Sequence, residues 1–144
     1  MAKSPRRDIR ALLQVPSAEL ALEVDKRLRK LGFPALRQGQ TQLLTLLGDE
    51  GVRLTELVSA MGLPKQTLGD MIDDLEGEKL VERVPDPDHG VIKRVRLATR
   101  GRQWATEVKK VADATEQRWA ATLGKAKARS LRSLLEELAA GLDT

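Results

Sequence analysis

The chain contains no cysteine, and this absence excludes several kinds of site. Without thiols there is no disulfide, no thiolate nucleophile, no iron–sulfur cluster and no cysteine redox switch. His89 is the single histidine, which argues against a buried transition-metal site, because such sites usually combine several His or Cys ligands. A catalytic triad or acid–base pair would also lack its usual partners. We therefore expect neither an enzyme nor a cofactor.

Long apolar stretches are also missing from the sequence. No run approaches the roughly 18 apolar residues of a membrane span, and the first ten residues lack the apolar core of a signal peptide. We therefore expect a cytoplasmic protein. A length of 144 residues favours one cooperative core. A composition of 41% hydrophobic and 32% charged residues is typical of a folded, helix-rich chain.

The N-terminal region is predicted to form a basic arm followed by a long helix. Residues 1–16 contain Lys3 and several arginines and are expected to form a mobile arm and a short helix that ends before Pro16. Ser17 is a candidate N-cap for a helix within residues 17–34, in which apolar residues recur at helical spacing. The apolar face of that helix needs a packing partner.

Residues 35–100 follow the order helix, helix, sharp turn, helix, β-hairpin. Gly62-Leu63-Pro64 forms a turn that is short enough to require a sharp bend. The helix at residues 64–76 places apolar residues at the spacing of one buried face. Strands are predicted at residues 81–84 and 91–97 around a turn at 86–90. This order is typical of a winged helix-turn-helix, a mainly α fold with a small β wing.

Two further helices are predicted within residues 101–144. The first extends to about residue 123, and the last has four leucines at the i, i+3, i+4, i+7 spacing of one face. A chain this small therefore has more helix than one three-helix core can cover.

The central residues resemble the MarR family of bacterial transcriptional regulators. The resemblance covers residues 36–101. The matching positions are Gln40, Leu43 and Leu44; Leu54, Thr55, Glu56, Leu57 and Val58; Thr67, Leu68, Ile72, Asp73, Leu75 and Glu76; Leu80, Val81, Glu82, Arg83, Asp86 and Pro87; and Lys93, Arg94, Val95, Leu97 and Gly101. The resemblance implies a sequence-specific regulator of transcription, expected to be a repressor, that binds double-stranded DNA.

The resemblance also implies a homodimer in which the long N- and C-terminal helices interlock. Two recognition helices would then lie in successive major grooves of a near-palindromic operator, and the wings would reach the minor groove or the backbone. The surplus of apolar helix agrees with a dimer, and packing within one chain is the alternative. The expected interface residues are Leu20, Val24, Leu28, Leu131, Leu134, Leu135 and Leu138.

The candidates for major-groove contact lie on the helix at residues 64–76. Gln66 can hydrogen-bond adenine, and Thr67 can contact a thymine methyl group or a phosphate. For Thr67 and Gly69, helix capping and close packing are the alternative roles. An aspartate can accept a hydrogen bond from cytosine N4. The full set is Lys65, Gln66, Thr67, Gly69, Asp70 and Asp73.

Two departures from the family pattern bear on DNA binding. The wing tip has His89-Gly90-Val91 where the family usually places arginines. Residues 49–79 contain eight acidic and three basic residues, a net charge of −5, whereas residues 83–102 have a net charge of +4. The alternative function is therefore a winged helix that docks on a protein, or a regulator with weakened DNA binding. The wing candidates for DNA contact are Arg83, His89, Lys93, Arg94 and Arg96, with solvated surface charge as the alternative.

Members of the family often release DNA when a small aromatic or anionic ligand binds between the dimerisation helices and the winged domain. By position, Arg27, Gln40, Leu44 and Trp104 are candidates for such a cleft. Core packing of Leu44 and Trp104 is the alternative.

Overall fold

The computed structural model describes residues 5–143, which form six helices and three short strands. The helices are α1 (Ile9–Lys30), α2 (Gln38–Leu46), α3 (Leu54–Met61), α4 (Lys65–Gly77), α5 (Thr99–Leu123) and α6 (Lys125–Leu142), and the strands are β1 (Val52–Arg53), β2 (Val81–Pro85) and β3 (Lys93–Leu97). The predicted winged helix-turn-helix, mainly α with a small β wing and long terminal helices, is confirmed. Within the described range, no helix combines the length and the apolar character that a membrane span requires.

The chain divides into two compact units. One contains residues 25–108, and the other combines the N-terminal residues up to 24 with the residues from 109 onward. The boundary falls within α1 and within α5, so each of these helices contributes residues to both units. The division at residues 16, 34 and 100 that the sequence suggested stays a prediction, and Lys3 of the expected basic arm lies outside the described residues.

The unit of residues 25–108 is the winged helix. Gly62 adopts a left-handed conformation with φ of 63°, and its N–H donates to the Val58 carbonyl oxygen, so α3 ends there and the chain bends into α4. Leu57 of α3 packs in the core with one face of α4, which comprises Leu68, Ile72 and Leu75. The apolar spacing in the sequence therefore predicted the buried face of α4 correctly.

The sheet contains one strand more than the sequence predicted. Its order is β1-β3-β2, and both pairings are antiparallel. β1 has only two residues, too few to show an alternating pattern in the sequence. Gly51, which precedes it, allows the chain to approach β3 closely. Gly51 has a φ of 85°, and an added Cβ would lie 2.9 Å from the carbonyl oxygen of Val95. A residue with a side chain would therefore push β1 away from β3.

The expected start of the returning strand at residue 91 is wrong. Ile92 donates its N–H to the carbonyl oxygen of His89 inside the turn, while its own carbonyl accepts from Asp86 N–H. These two bonds close the turn before β3 begins at Lys93.

The expected break at Pro16 is also wrong, because α1 continues from Ile9 to Lys30 with Pro16 inside it. A proline in a helix removes one backbone hydrogen bond. The helix starts before Pro16 because the Asp8 carboxylate accepts from the Ala11 N–H at 3.0 Å and so caps its first turn. The helix therefore begins eight positions earlier than the expected cap at Ser17.

The other unit contains little buried surface. It comprises α1 up to residue 24, α5 from residue 109, and α6. Trp119 donates its indole N–H to Glu19 at 2.9 Å, which joins α5 to α1, and Arg132 of α6 lies 2.8 Å from Glu116 of α5. Within the described range of α6, nearly every residue is exposed. Polar contacts rather than a large apolar core therefore hold this unit together in the single chain.

Candidate nucleic-acid interface

The outward face of α4 is a shallow groove of polar side chains. Lys65, Gln66, Thr67, Asp70 and Asp73 are exposed, and Gly69 is half-buried between them. All of these except Thr67 line the groove together with Leu54 of α3. The structure therefore brings the predicted major-groove candidates together on one exposed surface.

Arginines bind most of the acidic groups that make α4 negative. Arg83 of β2 donates to Asp73 at 2.7 Å and to Glu76 at 2.9 Å, and Arg37 lies 3.8 Å from Asp74. Arg83 was expected on the DNA-contacting wing, but here it links β2 to α4. The same contacts offset much of the negative charge that the sequence placed on this helix.

A buried carboxylate, Asp86, lies at the base of the wing and is only 2% exposed. It accepts hydrogen bonds at 2.7 Å from the Nε atoms of Arg53 and Arg94. The backbone N–H groups of Asp88 and His89 also donate to it. These donors, the Arg53 guanidinium first, outweigh burial and hold the pKa of Asp86 far below its usual range. The same pairing raises the pKa of Arg53.

The wing candidates separate into paired and unpaired cations. Arg94 is 22% exposed in its side chain and bonds to Asp86 and to the Gly51 carbonyl oxygen. Arg96 pairs across the strands with Glu82 at 2.7 Å. Lys93 is exposed and has no ion-pair partner within residues 5–143, and His89 is exposed at the tip. Lys93 is therefore the wing cation best placed to reach a phosphate.

Residues 31–90, which contain α2, α3, α4 and β2, match the family model described as the MarR family. The winged-helix region of this chain is therefore similar to the MarR family. The resemblance expected from the sequence is thereby confirmed.

Solved structures of MarR-type proteins agree along most of the chain. CouR from Rhodococcus jostii RHA1 bound to p-coumaroyl-CoA is 26% identical, with a TM-score of 0.65 and 96% of each chain covered. The MepR–DNA complex of S. aureus is 20% identical, with a TM-score of 0.68 and 92% of this chain and 98% of that chain covered. A structure of MarR is 18% identical, with a TM-score of 0.73 and 99% of this chain and 95% of that chain covered. MepR and MarR therefore share the fold with this chain. Comparison with curated proteins gave no match.

The four residues expected to form a ligand cleft lie in different settings. Gln40 is buried, and its side-chain oxygen accepts from the Arg37 N–H at the start of α2. Leu44 is buried in the core, and Trp104 is 3% exposed with an indole N–H that has no hydrogen-bond partner within residues 5–143. Arg27 donates to Glu107 at the surface. None of the four lines the open cavity beside Phe33 and Arg100, and the cleft assignment stays a prediction.

The residues expected at a MarR-type dimer interface differ in exposure. Leu28 is buried within its own chain, and Leu20 and Val24 are half-buried. The four leucines of α6, Leu131, Leu134, Leu135 and Leu138, are between 39% and 63% exposed. The α6 face is therefore the part of the expected interface that the chain itself leaves uncovered.

Sequence reasoning overlooked Arg53 and the role of Asp86 in the wing. Arg53 lies 33 positions before Asp86, and no spacing rule connects them. One signal was available, because Asp86 begins a turn between two strands that both contain arginines. An aspartate in that position has cationic partners within reach on both sides.

Proposed function

We propose that this chain is a MarR-type transcriptional repressor that binds double-stranded DNA as a homodimer in the cytoplasm and has no catalytic activity. The exposed face of α4 supports the proposal most strongly. It presents Lys65, Gln66 and Thr67 on the helix that follows the sharp turn, where a helix-turn-helix protein contacts base edges in the major groove. MepR, which shares the fold, has been solved in complex with DNA.

The ion pairs of α4 favour DNA binding over the alternative of a protein-docking module. A helix with several free carboxylates would repel phosphates. Asp73 and Glu76 are bound by Arg83, and Asp74 lies near Arg37, so α4 presents less uncompensated negative charge than its sequence suggests. Lys65 and Lys93 can then attract the DNA backbone. Each phosphate that one of them contacts would release about one counterion from the DNA.

The exposed leucines of α6 support the homodimer. Leu131, Leu134, Leu135 and Leu138 form one apolar face, and α1 adds exposed apolar side chains at Ile9, Leu12 and Leu13. Contiguous apolar surface of this kind usually marks an interface. A two-fold dimer would present two copies of α4 to the half-sites of a near-palindromic operator, about one helical turn of DNA apart.

A small aromatic or anionic effector that releases the DNA is part of the proposal. CouR, whose sequence is 26% identical, was solved with p-coumaroyl-CoA bound. Such a ligand would act by favouring one spacing of the two recognition helices over another. Arg27, Gln40, Leu44 and Trp104 remain the candidates for its contact.

The experiment is a comparison of two labelled duplexes by fluorescence anisotropy: the DNA upstream of the gene for this protein, and a scrambled duplex of the same composition. We expect tighter binding to the upstream DNA, with two chains per site. Lys65→Ala should weaken the binding, and Lys30→Ala, which removes the same charge from the end of α1, should not. Equal affinity of the wild type for both duplexes at physiological salt would instead favour docking on a protein.

A further inference from the structure

Asp70 differs from the other carboxylates of α4. The three others each lie within 4 Å of an arginine side chain, two of them at Arg83 and one at Arg37. Asp70 is exposed, and within residues 5–143 it has no ion-pair partner. The fold therefore compensates the acidic groups of α4 except for the one at Asp70.

Gly69, beside Asp70, leaves an unfilled space on the same surface. It lies in the interior of a 13-residue helix, where glycine is less favourable than alanine. A Cβ added at Gly69 would meet no atom within 4 Å. Gly101 is the opposite case, because a Cβ there would collide with the Leu80 carbonyl. The packing of the described chain therefore does not require glycine at position 69, and the open space is accessible to a molecule outside the chain.

The side chains around this space can recognise bases. Gln66 and Asp70 are one helical turn apart and lie on the same face of α4. Both line the groove that also includes Gly69. A carboxylate that approaches DNA is repelled by phosphates, unless it accepts a hydrogen bond from a base. In the major groove, aspartate is matched to the N4 amino group of cytosine.

We infer that Asp70 is a specificity-determining residue, which accepts a hydrogen bond from the N4 amino group of a cytosine in each operator half-site, while Gly69 lets the base edge approach α4. The inference rests on the proposed function. Guanine and thymine present acceptors and no donor in the major groove, and adenine has the N7 acceptor beside its amino group, so the carboxylate is matched best to cytosine. At non-matching sites Asp70 stays unpaired, and its charge weakens binding to random DNA.

The test is selection of bound sequences from a library of randomised duplexes, carried out in parallel with the wild type, Asp70→Ala and Asp70→Asn. The wild type should select cytosine at one equivalent position in each half-site. Asp70→Ala should lose about tenfold or more of the preference at that position alone and should bind random DNA more tightly. Asp70→Asn should change the preference to adenine, which asparagine can contact through two hydrogen bonds.

Asp74→Asn is the matched control, because it removes the same charge from the same helix. It should leave the selected sequence unchanged. If Asp70→Ala keeps every base preference of the wild type, the inference is wrong and the proposed function stands. If the wild type selects no sequence at all, the proposed function fails and the inference fails with it.

Discussion

Arg94 donates a hydrogen bond of 2.7 Å from its Nε atom to Oδ2 of Asp86, a carboxylate that is almost completely enclosed. Arg53, at the end of β1, makes a second bond of 2.7 Å to the same oxygen. Arg94 belongs to β3, so the two arginines join neighbouring strands through one buried anion. The base of the wing is thus joined to β1 by charge.

Asp86→Asn should lower the melting temperature by several degrees, because the amide replaces a charged acceptor between two guanidinium groups. Thermal unfolding followed by circular dichroism measures the effect. Asp88→Asn, an exposed change two residues away, is the control and should leave the melting temperature nearly unchanged. Equal stability of the two variants would show that the network does not stabilise the wing.

The contribution of Asp86 should also depend on pH. The pKa of this carboxyl is lower in the folded chain than its ordinary value of about 3.9. The unfolded chain therefore binds the proton first, and the stabilisation is present above that ordinary value and is lost as the pH falls further toward the folded pKa. The difference in stability between the wild type and Asp86→Asn should be constant from about pH 7 to pH 5 and should shrink below about pH 4. A difference that grows on acidification would contradict this sign.

Patterns within one element could be predicted from the sequence, and they gave most of the fold. The buried face of α4 follows from the spacing of Leu68, Ile72 and Leu75, and Gly62 marks the sharp turn. Pro16 was misleading, because α1 begins at the Asp8 cap and continues through the proline, which removes only one backbone hydrogen bond. β1 has no pattern of its own, because its two residues are a strand only through their pairing with β3.

The candidate site was predicted less completely, since charge in a sequence does not reveal which charges are paired. Arg83, Arg94 and Arg96 were all candidates for phosphate contact, yet each one binds a carboxylate. Their partners lie on other elements, up to 14 positions away along the chain. Lys93 has the same formal charge and is unpaired within residues 5–143. Only the fold distinguishes these cases.

The two glycines of α4 and α5 should respond to alanine in opposite ways. Gly69→Ala should stabilise the chain by about 1 kcal/mol, because alanine is the better helix former, and should weaken DNA binding. Gly101→Ala should destabilise the chain by about 1–3 kcal/mol or more, because its Cβ would be forced against the Leu80 backbone. Urea unfolding and anisotropy titrations measure both effects. A Gly69→Ala variant that is more stable and binds DNA as tightly as the wild type would remove the argument that DNA approaches α4 closely there.

The apolar face of α6 should control the oligomeric state. The double variant Leu134→Asp and Leu138→Asp places two charges on that face, and sedimentation velocity should show a monomer of about 15.9 kDa, whereas we expect a dimer for the wild type. The monomer should also lose most of its operator affinity, because each half-site is then bound independently. Ser133→Asp, on the opposite side of the same helix, is the control and should remain dimeric. A dimeric double variant would show that α6 does not form the interface.

The central claim, that α4 and the wing bind the DNA backbone and bases, is tested most directly by the salt dependence of binding to the upstream DNA. Anisotropy titrations from about 50 to 200 mM salt give the slope of log affinity against log salt, to which each phosphate contact contributes about 0.9. We expect a steep negative slope for the wild type and a slope shallower by about 1 per half-site for Lys93→Ala, with an unchanged melting temperature. A wild-type affinity that does not change with salt would contradict the account.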